Sequence, residues 1–243
     1  MRIAAYQAPL LPAGSSEAIE LIARQVRACE EQGARFLCCP EGIVGGLADN
    51  HPRPLEMAID TASGALRATL APLASETVIT IVGFTELAAD NRLYNSAAIV
   101  ERGRLVGLYR KRNPAINRSI YAPGRELPVF TVGELTFGIL ICRDSTFPDL
   151  ADRLATRGAQ AIFIPTNNAL PREKGGAELA EIARSSDSET ARRTGMAIIR
   201  ADVAGRDGTA ESFGSTGIVA GDGTLVVRAD AMRAGLVVAD VAL

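Results

Sequence analysis

The hydrophobic pattern of the chain alternates between short apolar runs and longer segments with helical spacing. The runs at 3–8 and 34–40 predict two buried strands. Between them, the apolar positions of 15–32 recur at helical intervals, and Gly33 marks the predicted end of that helix. The next predicted elements are a helix at 63–76 and strands at 78–84, 93–101, 104–110, 128–133 and 135–142.

The alternation of helix and strand returns in the last third of the chain. The predicted elements are helices at 148–157 and 177–194, strands at 159–165, 196–203 and 234–241, and a hairpin within 212–230 that turns at Asp222-Gly223. Strand pairs inserted between strand–helix units favour an α/β fold, a four-layer αββα sandwich with two mixed β-sheets. A single doubly wound sheet is the competing architecture.

The length of the chain and its lack of a linker or a low-complexity tract predict one domain. At 243 residues, the sequence fits a single domain over 1–243, because α/β domains commonly reach ~250 residues. No apolar stretch approaches the ~20 residues that cross a bilayer, and the first residues have the pattern of a strand, not of a signal peptide. We therefore expect a cytoplasmic protein without a membrane partner.

The charge of the chain is close to balanced. Aspartate and glutamate total 28 against 26 lysines and arginines, which gives a formal net charge of −2. Nucleic acids and anionic membranes both select a basic surface, so neither is expected as the main partner.

Histidine and cysteine usage excludes several kinds of site. His51 is the one histidine of the chain, so a zinc site with two or three histidines is impossible and a Ser-His-Asp hydrolase would have to use this residue. The four cysteines contain no CxxC pair, which argues against a disulfide framework and a zinc knuckle. We expect a reducing compartment and no metal.

Three chemically capable side chains stand at or just after the ends of predicted strands. They are the carboxylate of Glu41, the ammonium of Lys111 and the thiol of Cys142. Ligand sites of α/β sheets lie outside the carboxyl ends of the strands, so we expect these groups to share one site.

An acid, an amine and a thiol together suffice for covalent hydrolysis without histidine. A free thiol with a pKa near ~8.5 is mostly protonated at neutral pH, and Glu41 is the candidate base that takes its proton. Lys111 would face the oxygen that becomes negative, and the backbone N–H of Arg143 is the candidate second donor. Glu41 would then protonate the leaving nitrogen, and water would hydrolyse the Cys142 thioester.

Three sequence blocks around these residues resemble a known family. CCPEG (38–42), YRKRNPAINRSIYAPG (109–124) and GILICRDSTFPDL (138–150) are similar to the signature blocks of the nitrilase, or carbon–nitrogen hydrolase, superfamily. That family carries a Glu-Lys-Cys triad at these places and in this order. The start of the chain, with Tyr6-Gln7, and its late hairpin also resemble the family, so the similarity covers almost the whole chain.

The resemblance implies both architecture and activity. It implies the αββα sandwich, no cofactor, subunits that pair into a dimer-based homo-oligomer, and hydrolysis of a non-peptide carbon–nitrogen bond through a cysteine thioester. A small-molecule amide is the expected substrate. N-carbamoyl compounds and nitriles are alternatives that the same triad serves, and a catalytically silent scaffold of the same fold is the alternative from another class.

Some positions depart from the family pattern and leave the substrate open. Many members place a second glutamate after the lysine, where this chain has Asn117-Arg118-Ser119 and where the nearest acid is Glu126. The frequent pocket tryptophan is missing, and its counterpart stretch contains Asn167 and Asn168. These two asparagines and Arg118 are the candidate substrate-binding residues. Arg143 stands where an aromatic residue is common, and its guanidinium is a second candidate clamp for a substrate carboxylate.

Each candidate also has a purely structural interpretation. Cys142 could be a core cysteine, Glu41 a turn residue, and Lys111 part of a solvated charge run. Cys38 and Cys39 are expected to pack in a strand. A dyad of Cys142 with His51 is a further alternative, and the single histidine argues against a metal-dependent phosphoesterase on a similar sandwich.

Overall fold

The computed structural model describes residues 1–114, 119–174, 176–208 and 210–243. Over these residues the chain forms four α-helices, Glu17–Gln32 (α1), Ala65–Leu70 (α2), Pro148–Thr156 (α3) and Ala177–Thr194 (α4). The strands of the same residues are β1 Arg2–Pro9, β2 Phe36–Cys38, β3 Ile59–Asp60, β4 Ile79–Leu87, β5 Leu93–Glu101, β6 Arg104–Arg110, β7 Val129–Val132, β8 Leu135–Ile139, β9 Ala161–Pro165, β10 Leu170–Pro171, β11 Ala197–Ala201, β12 Val203–Asp207, β13 Ala210–Ser212, β14 Gly217–Val219, β15 Leu225–Arg228 and β16 Gly235–Asp240.

The strands are arranged in two mixed sheets. One sheet has the order β10-β13-β12-β1-β2-β4-β5-β6, with β16 added antiparallel to β1 and β3 added parallel to β4. The other has the order β15-β14-β11-β9-β8-β7. The centre of each sheet is parallel, through β1, β2 and β4 in the first and β8, β9 and β11 in the second. Their carboxyl ends therefore define one edge of each sheet, where ligand sites of such folds lie.

The two sheets pack face to face and helices cover their outer faces. Phe36, Phe137 and Phe163 meet between the sheets with ring centroids 5.0 to 5.7 Å apart. The apolar stripe of α1, with Ile22 and Val26, packs on the outer face of the larger sheet, and α3 and α4 cover the smaller sheet. This is the predicted α/β sandwich with two mixed sheets, so the doubly wound alternative is wrong.

Most predicted elements are confirmed, and several of them differ from the prediction at their ends. The strands at 93–101 and 104–110 and the helix at 177–194 occur over the predicted residues. The helix predicted at 63–76 is limited to α2 and a 3₁₀ turn at Ala71–Leu73, because Pro72 has no N–H to donate and ends the α-helical ladder. The strand predicted to reach Cys142 ends at Ile139.

The strand predicted at 196–203 is two strands in different sheets. β11 belongs to the smaller sheet and β12 to the larger, and the chain crosses between them at the fully buried Asp202. Asp202 is flanked by apolar residues, Ala201 before it and Val203-Ala204 after it, so the hydrophobic pattern did not mark the crossing. No helix among the described residues has both the length and the apolar character that spanning a bilayer requires.

Candidate active site

Glu41 follows β2 at the carboxyl edge of the larger sheet. Its backbone N–H donates to the carbonyl of Thr166 at 3.2 Å, which ties the Glu41 loop to the end of β9. The loop also packs directly over Gly83 of β4. A Cβ at Gly83 would lie 2.6 Å from the backbone nitrogen of Gly42 and 2.8 Å from Cα of Glu41, so this approach requires glycine.

The Glu41 carboxylate is held by three donors in a buried environment. Its Oε1 accepts hydrogen bonds from Lys111 Nζ at 2.6 Å and from Asn95 Nδ2 at 2.7 Å. Its Oε2 accepts the backbone N–H of Asn167 at 3.1 Å. Glu41 is 2% exposed and Lys111 is 7% exposed. A buried charge requires a paired and hydrogen-bonded partner, and the two residues provide that for each other.

Lys111 stands one residue beyond β6, where its backbone is tied on both sides. Its N–H donates to the carbonyl of Asn95 and its own carbonyl accepts the N–H of Gly124, both at 2.8 Å. Burial by itself lowers the pKa of the Lys111 ammonium, but the negative charge of Glu41, with a smaller contribution from Cys142, raises it by more, and the net pKa lies above the ordinary value. Lys111 is therefore a cation at neutral pH.

The backbone of Cys142 is in a strained conformation. Two residues separate it from the end of β8, and it begins a 3₁₀ helix at Cys142–Thr146. Its φ is +46°, in the left-handed region, which costs an L-residue ~1–2 kcal/mol. Strain of this kind clusters at functional sites. The N–H of Arg143 lies in the first helical turn, where amide groups have no acceptor within the helix.

The Cys142 thiol is desolvated but lies within the influence of the ion pair. Burial raises its pKa to about 12, with a further contribution from the negative charge of Glu41, while the positive charges of Lys111 and Arg200 lower it. Its Sγ lies 3.9 Å from Asn168 Oδ1. The group is a neutral thiol at pH 7, so a nucleophilic attack requires a base that removes the proton as the bond forms.

Asp144 fastens the loop after Lys111 to the loop that carries Cys142. This fully buried carboxylate accepts the hydroxyl of Tyr109 at 2.7 Å, the backbone N–H of Asn113 at 2.8 Å and the backbone N–H of Ile141 at 3.3 Å. The donors come from both loops, so Asp144 fixes the ammonium and the thiol relative to each other.

A second buried ion pair connects the backbone of the Cys142 loop to the backbone of the Glu41 loop. Arg200 of β11 contacts Asp187 of α4 through Nε at 2.7 Å and also through Nη2. The same guanidinium donates to Thr166 Oγ1 at 2.9 Å and to Ser145 Oγ at 3.1 Å. Ser145 Oγ in turn donates to the carbonyl of Cys142 at 2.8 Å. Because Thr166 also accepts the N–H of Glu41, one guanidinium connects the two loops.

The structure places the candidate substrate-binding residues from the family resemblance at different distances from the site. Asn167 and Asn168 lie at the site, through a backbone N–H to Glu41 and a side-chain oxygen near Cys142. The guanidinium of Arg143 donates to the carbonyl of Pro114 at 2.9 Å and lies 5.4 Å from the ring centroid of Phe147. Arg118 lies outside the described residues.

The remaining candidates occupy structural positions. Glu126, the acid nearest to the missing second glutamate, is exposed. Cys38 and Cys39 are fully buried, as predicted for strand packing. The Nδ1 of His51 accepts the N–H of Arg53 within its own loop, and nothing in the structure favours a dyad with the thiol.

Sequence reasoning missed several residues that build the site. They are the polar residues Asn95, Asp144, Asp187, Arg200 and Asp202. Asn95 and Arg200 lie inside otherwise apolar strands at the centre of the sheets, and a polar side chain in such a place must have a buried partner. That was the available signal, but the identity of the partner depends on which strands are neighbours.

Comparison with known proteins shows which sequences and which fold the chain resembles. Residues 2–243 match the profile of the carbon-nitrogen hydrolase family. A protein of Pseudomonas protegens named "Hydrolase in pqqF 5'region" is 29% identical over 180 residues, which cover 70% of this chain and 61% of that protein. A nitrilase of Pyrococcus abyssi is 30% identical over 149 residues, which cover 60% of this chain and 57% of that protein. The matches thus span about three fifths of the length of these two relatives.

A solved structure has the same fold. The amidase of Nesterenkonia sp. AN1, in a mutant that shows the Michael addition of acrylamide at its active-site cysteine, superposes with a TM-score of 0.83 at 22% identity. The superposition covers 99% of this chain and 92% of the amidase. The family match over nearly the whole length and the shared fold lead to one conclusion: the chain belongs to the carbon–nitrogen hydrolase family, within the nitrilase superfamily.

Proposed function

We propose that the chain is a thiol hydrolase that cleaves a non-peptide carbon–nitrogen bond in a small-molecule amide. Cys142 is the nucleophile, Glu41 the general base and acid, and Lys111 the cation that faces the developing negative charge. The observation that carries the proposal is the buried ion pair of Glu41 and Lys111, whose two charges act on the desolvated thiol.

In the first step the enzyme becomes acylated. Sγ of Cys142 forms a bond to the carbonyl carbon, the thiol proton passes to Glu41, and the π electron pair moves to the carbonyl oxygen. The Lys111 ammonium and the N–H of Arg143 stabilise that oxygen, and one such donor is commonly worth ~3–4 kcal/mol of barrier. The raised pKa of Cys142 supports proton transfer during the attack, not a preformed thiolate.

In the next steps the nitrogen leaves and water releases the acid. The oxyanion collapses, the carbon–nitrogen bond breaks, and Glu41 returns its proton to the nitrogen, so that ammonia or an amine departs. Glu41 then takes a proton from water while the hydroxide attacks the thioester. Collapse of the second intermediate breaks the sulfur–carbon bond, and Sγ regains the proton from Glu41. Each proton stays among these groups, so the cycle needs no cofactor.

The substrate class within this reaction type remains part of the proposal. The nitrilase of Pyrococcus abyssi and the amidase of Nesterenkonia sp. AN1 have names that point to nitriles and amides, respectively. N-carbamoyl compounds are a third class that the same three residues serve. We further propose one domain over 1–243, a cytoplasmic location and a dimer-based homo-oligomer; sedimentation of the purified protein tests the oligomer.

The test is a substrate panel scored by ammonia release. Matched ω-amides, N-carbamoyl compounds and nitriles are incubated with the wild-type chain, with Cys142→Ala and with Cys29→Ala, which removes a buried thiol of α1. We expect turnover of an amide by the wild type and by Cys29→Ala, and none by Cys142→Ala. Turnover that survives Cys142→Ala contradicts the mechanism. No turnover of any member of the panel, with no acyl group found on Cys142 by intact mass, favours the silent scaffold.

A further inference from the structure

The side-chain amide of Asn168 has a fixed orientation. Its Nδ2 donates to Asp202 Oδ2 at 3.0 Å and to Ser215 Oγ at 3.2 Å, and its backbone N–H donates to Asp202 Oδ1 at 3.0 Å. Asp202 is fully buried and also accepts the N–H groups of Val203 and Ser215. The reversed amide would place its oxygen against this carboxylate, so the nitrogen must face Asp202.

The oxygen of Asn168 is consequently directed at the nucleophile. Its Oδ1 lies 3.9 Å from Sγ of Cys142. In the free site this oxygen accepts a hydrogen bond from the protonated thiol, which favours the thiol over the thiolate. Asn168 therefore does not activate the nucleophile. An acceptor held this firmly beside the reacting sulfur has its use when a hydrogen-bond donor of the substrate arrives.

We propose that Asn168 Oδ1 accepts an N–H of the scissile nitrogen, and that the site thereby selects carboxamides and N-carbamoyl compounds over nitriles and esters. The first two classes carry an N–H on the nitrogen that leaves, and the last two carry none. This specificity rests on the function proposed above.

The spacing of the groups fits this contact. A carbonyl carbon in position for attack lies ~3–3.5 Å from the sulfur, and the amide nitrogen is one bond away, within reach of Oδ1. Glu41 is close by, because the neighbouring Asn167 donates its N–H to the Glu41 carboxylate. The leaving nitrogen thus lies between Glu41, which supplies a proton to its lone pair, and Asn168, which accepts an N–H that stays intact.

A site built to bind an N–H discriminates against analogues that lack one. When a substrate binds, it displaces water and its carbonyl carbon bonds to the sulfur, so Asn168 Oδ1 loses its hydrogen bond from the thiol. If the substrate carries no N–H, this oxygen has no partner, and an unpaired polar group in a closed site is unfavourable. The orientation provided by Asp202 prevents the amide from turning its nitrogen to such a substrate.

The experiment compares three substrates that share one acyl group: the primary amide, the nitrile and the p-nitrophenyl ester. We measure kcat/KM for the wild type and for Asn168→Leu, which keeps the branched shape and removes the oxygen. The expected result is a loss of about tenfold for the amide relative to the ester and the nitrile, the effect of one neutral hydrogen bond. An equal change for all three substrates overturns the proposal.

The matched control is Ser75→Ala. It removes a buried hydroxyl that donates to Glu30 Oε1 at 2.6 Å and has no contact with Asn168 or Asp202, so the ratio of amide to ester should stay that of the wild type. If Asn168→Leu fails to fold, the wild type alone decides. Its kcat/KM for the N-methyl amide, which keeps one N–H on the leaving nitrogen, should exceed that for the N,N-dimethyl amide of the same acid by about tenfold or more, and equal values overturn the proposal.

The ester also distinguishes a failure of the proposed hydrolase function from a failure of the proposed role of Asn168. If the ester does not acylate Cys142 and no amide releases ammonia, the proposed function fails and the role of Asn168 fails with it. If the acyl enzyme forms and amides turn over, but the ratio of amide to ester is unchanged in Asn168→Leu, only the inference about Asn168 fails.

Discussion

Lys111 Nζ lies 2.6 Å from Glu41 Oε1, and both side chains are almost completely buried. An exposed ion pair contributes little to stability, but removing one partner of a buried pair leaves an uncompensated charge and costs ~3–5 kcal/mol. The contact is therefore part of the fold as well as part of the proposed chemistry. Variants that act on the carboxylate without breaking this pair are the more informative ones.

Asn95 is the residue that allows such a variant. Its Nδ2 donates to the same Glu41 oxygen at 2.7 Å. We expect Asn95→Ala to slow acylation of Cys142 by ten- to a hundredfold, because a hydrogen bond to a charged group contributes ~1.5–3 kcal/mol and the released carboxylate loses its alignment. Single-turnover kinetics with an activated ester measures the acylation rate.

The control for Asn95 is its neighbour on β5. Ser96→Ala also deletes a buried hydrogen bond, from Ser96 Oγ to Glu86 at 2.6 Å, but it acts on a carboxylate that the mechanism does not use. Acylation should continue in this variant at close to the wild-type rate. Equal losses in the two variants would show that Asn95 acts only through the stability of β5.

The pH dependence of alkylation reports on the charges around the thiol. Because the pKa of Cys142 is raised to about 12, its reaction with iodoacetamide should keep accelerating above about pH 10, where an ordinary thiol with a pKa of ~8.5 has reached its plateau. The negative charge of Glu41 contributes to this raised pKa, so Glu41→Gln should lower the pKa and move the profile to lower pH.

Peptide mapping distinguishes Cys142 from the other cysteines in this experiment. Cys29, Cys38 and Cys39 are fully buried and serve as slow internal references. A plateau of the Cys142 rate at or below about pH 10, or a profile that moves to higher pH in Glu41→Gln, is incompatible with the environment described above.

The strained backbone of Cys142 predicts an inverted order of stability. At φ +46° glycine fits better than alanine, so Cys142→Gly should be more stable than Cys142→Ala by about 1 kcal/mol. Chemical denaturation of both variants measures the difference. At Ala151, in the regular helix α3, a change to glycine should have the opposite sign. If Cys142→Ala is the more stable variant, the backbone is not strained as described.

Variants of the buried pair of Arg200 and Asp187 distinguish its contribution to stability from its role in positioning the Glu41 and Cys142 loops. Arg200→Met or Asp187→Leu alone leaves a buried charge unpaired and should lower the free energy of unfolding by ~3–5 kcal/mol. The double variant replaces the pair with apolar side chains and should recover most of that stability. Acylation should nevertheless stay slow, because no group then joins Thr166 to Ser145. Full recovery of the acylation rate in the double variant would show that the pair serves stability alone.

The helices, the strands and the three candidate catalytic residues could be predicted from the sequence better than the buried polar contacts around them. Helix α4 and the strands β5 and β6 could be located by period and turn residues, since these are local properties. The positions of Glu41, Lys111 and Cys142 could be proposed because each stands at or near a strand end, and the family blocks strengthened that prediction. Two of the three, Glu41 and Lys111, are in direct contact.

The supporting residues could not be found in the same way. Asn95, Asp144 and Arg200 each have partners far away along the chain, and those partners are defined only once the two sheets are paired. Asp202 shows the problem most clearly. It lies inside a mostly apolar stretch that predicts a single strand, yet it marks the crossing between the sheets and orients Asn168. Hydrophobic periodicity contains no information on which sheet a strand joins.

The most direct measurement is the mass of the protein during turnover of an amide substrate. The reaction is quenched with acid within milliseconds, and the intact mass and the peptide that carries Cys142 are determined. We predict a mass increase equal to the acyl group, confined to Cys142, that forms in the wild type and is missing in Cys142→Ala. Steady turnover with an unmodified Cys142 at every time point, or an acyl group on another residue, would contradict the thioester mechanism.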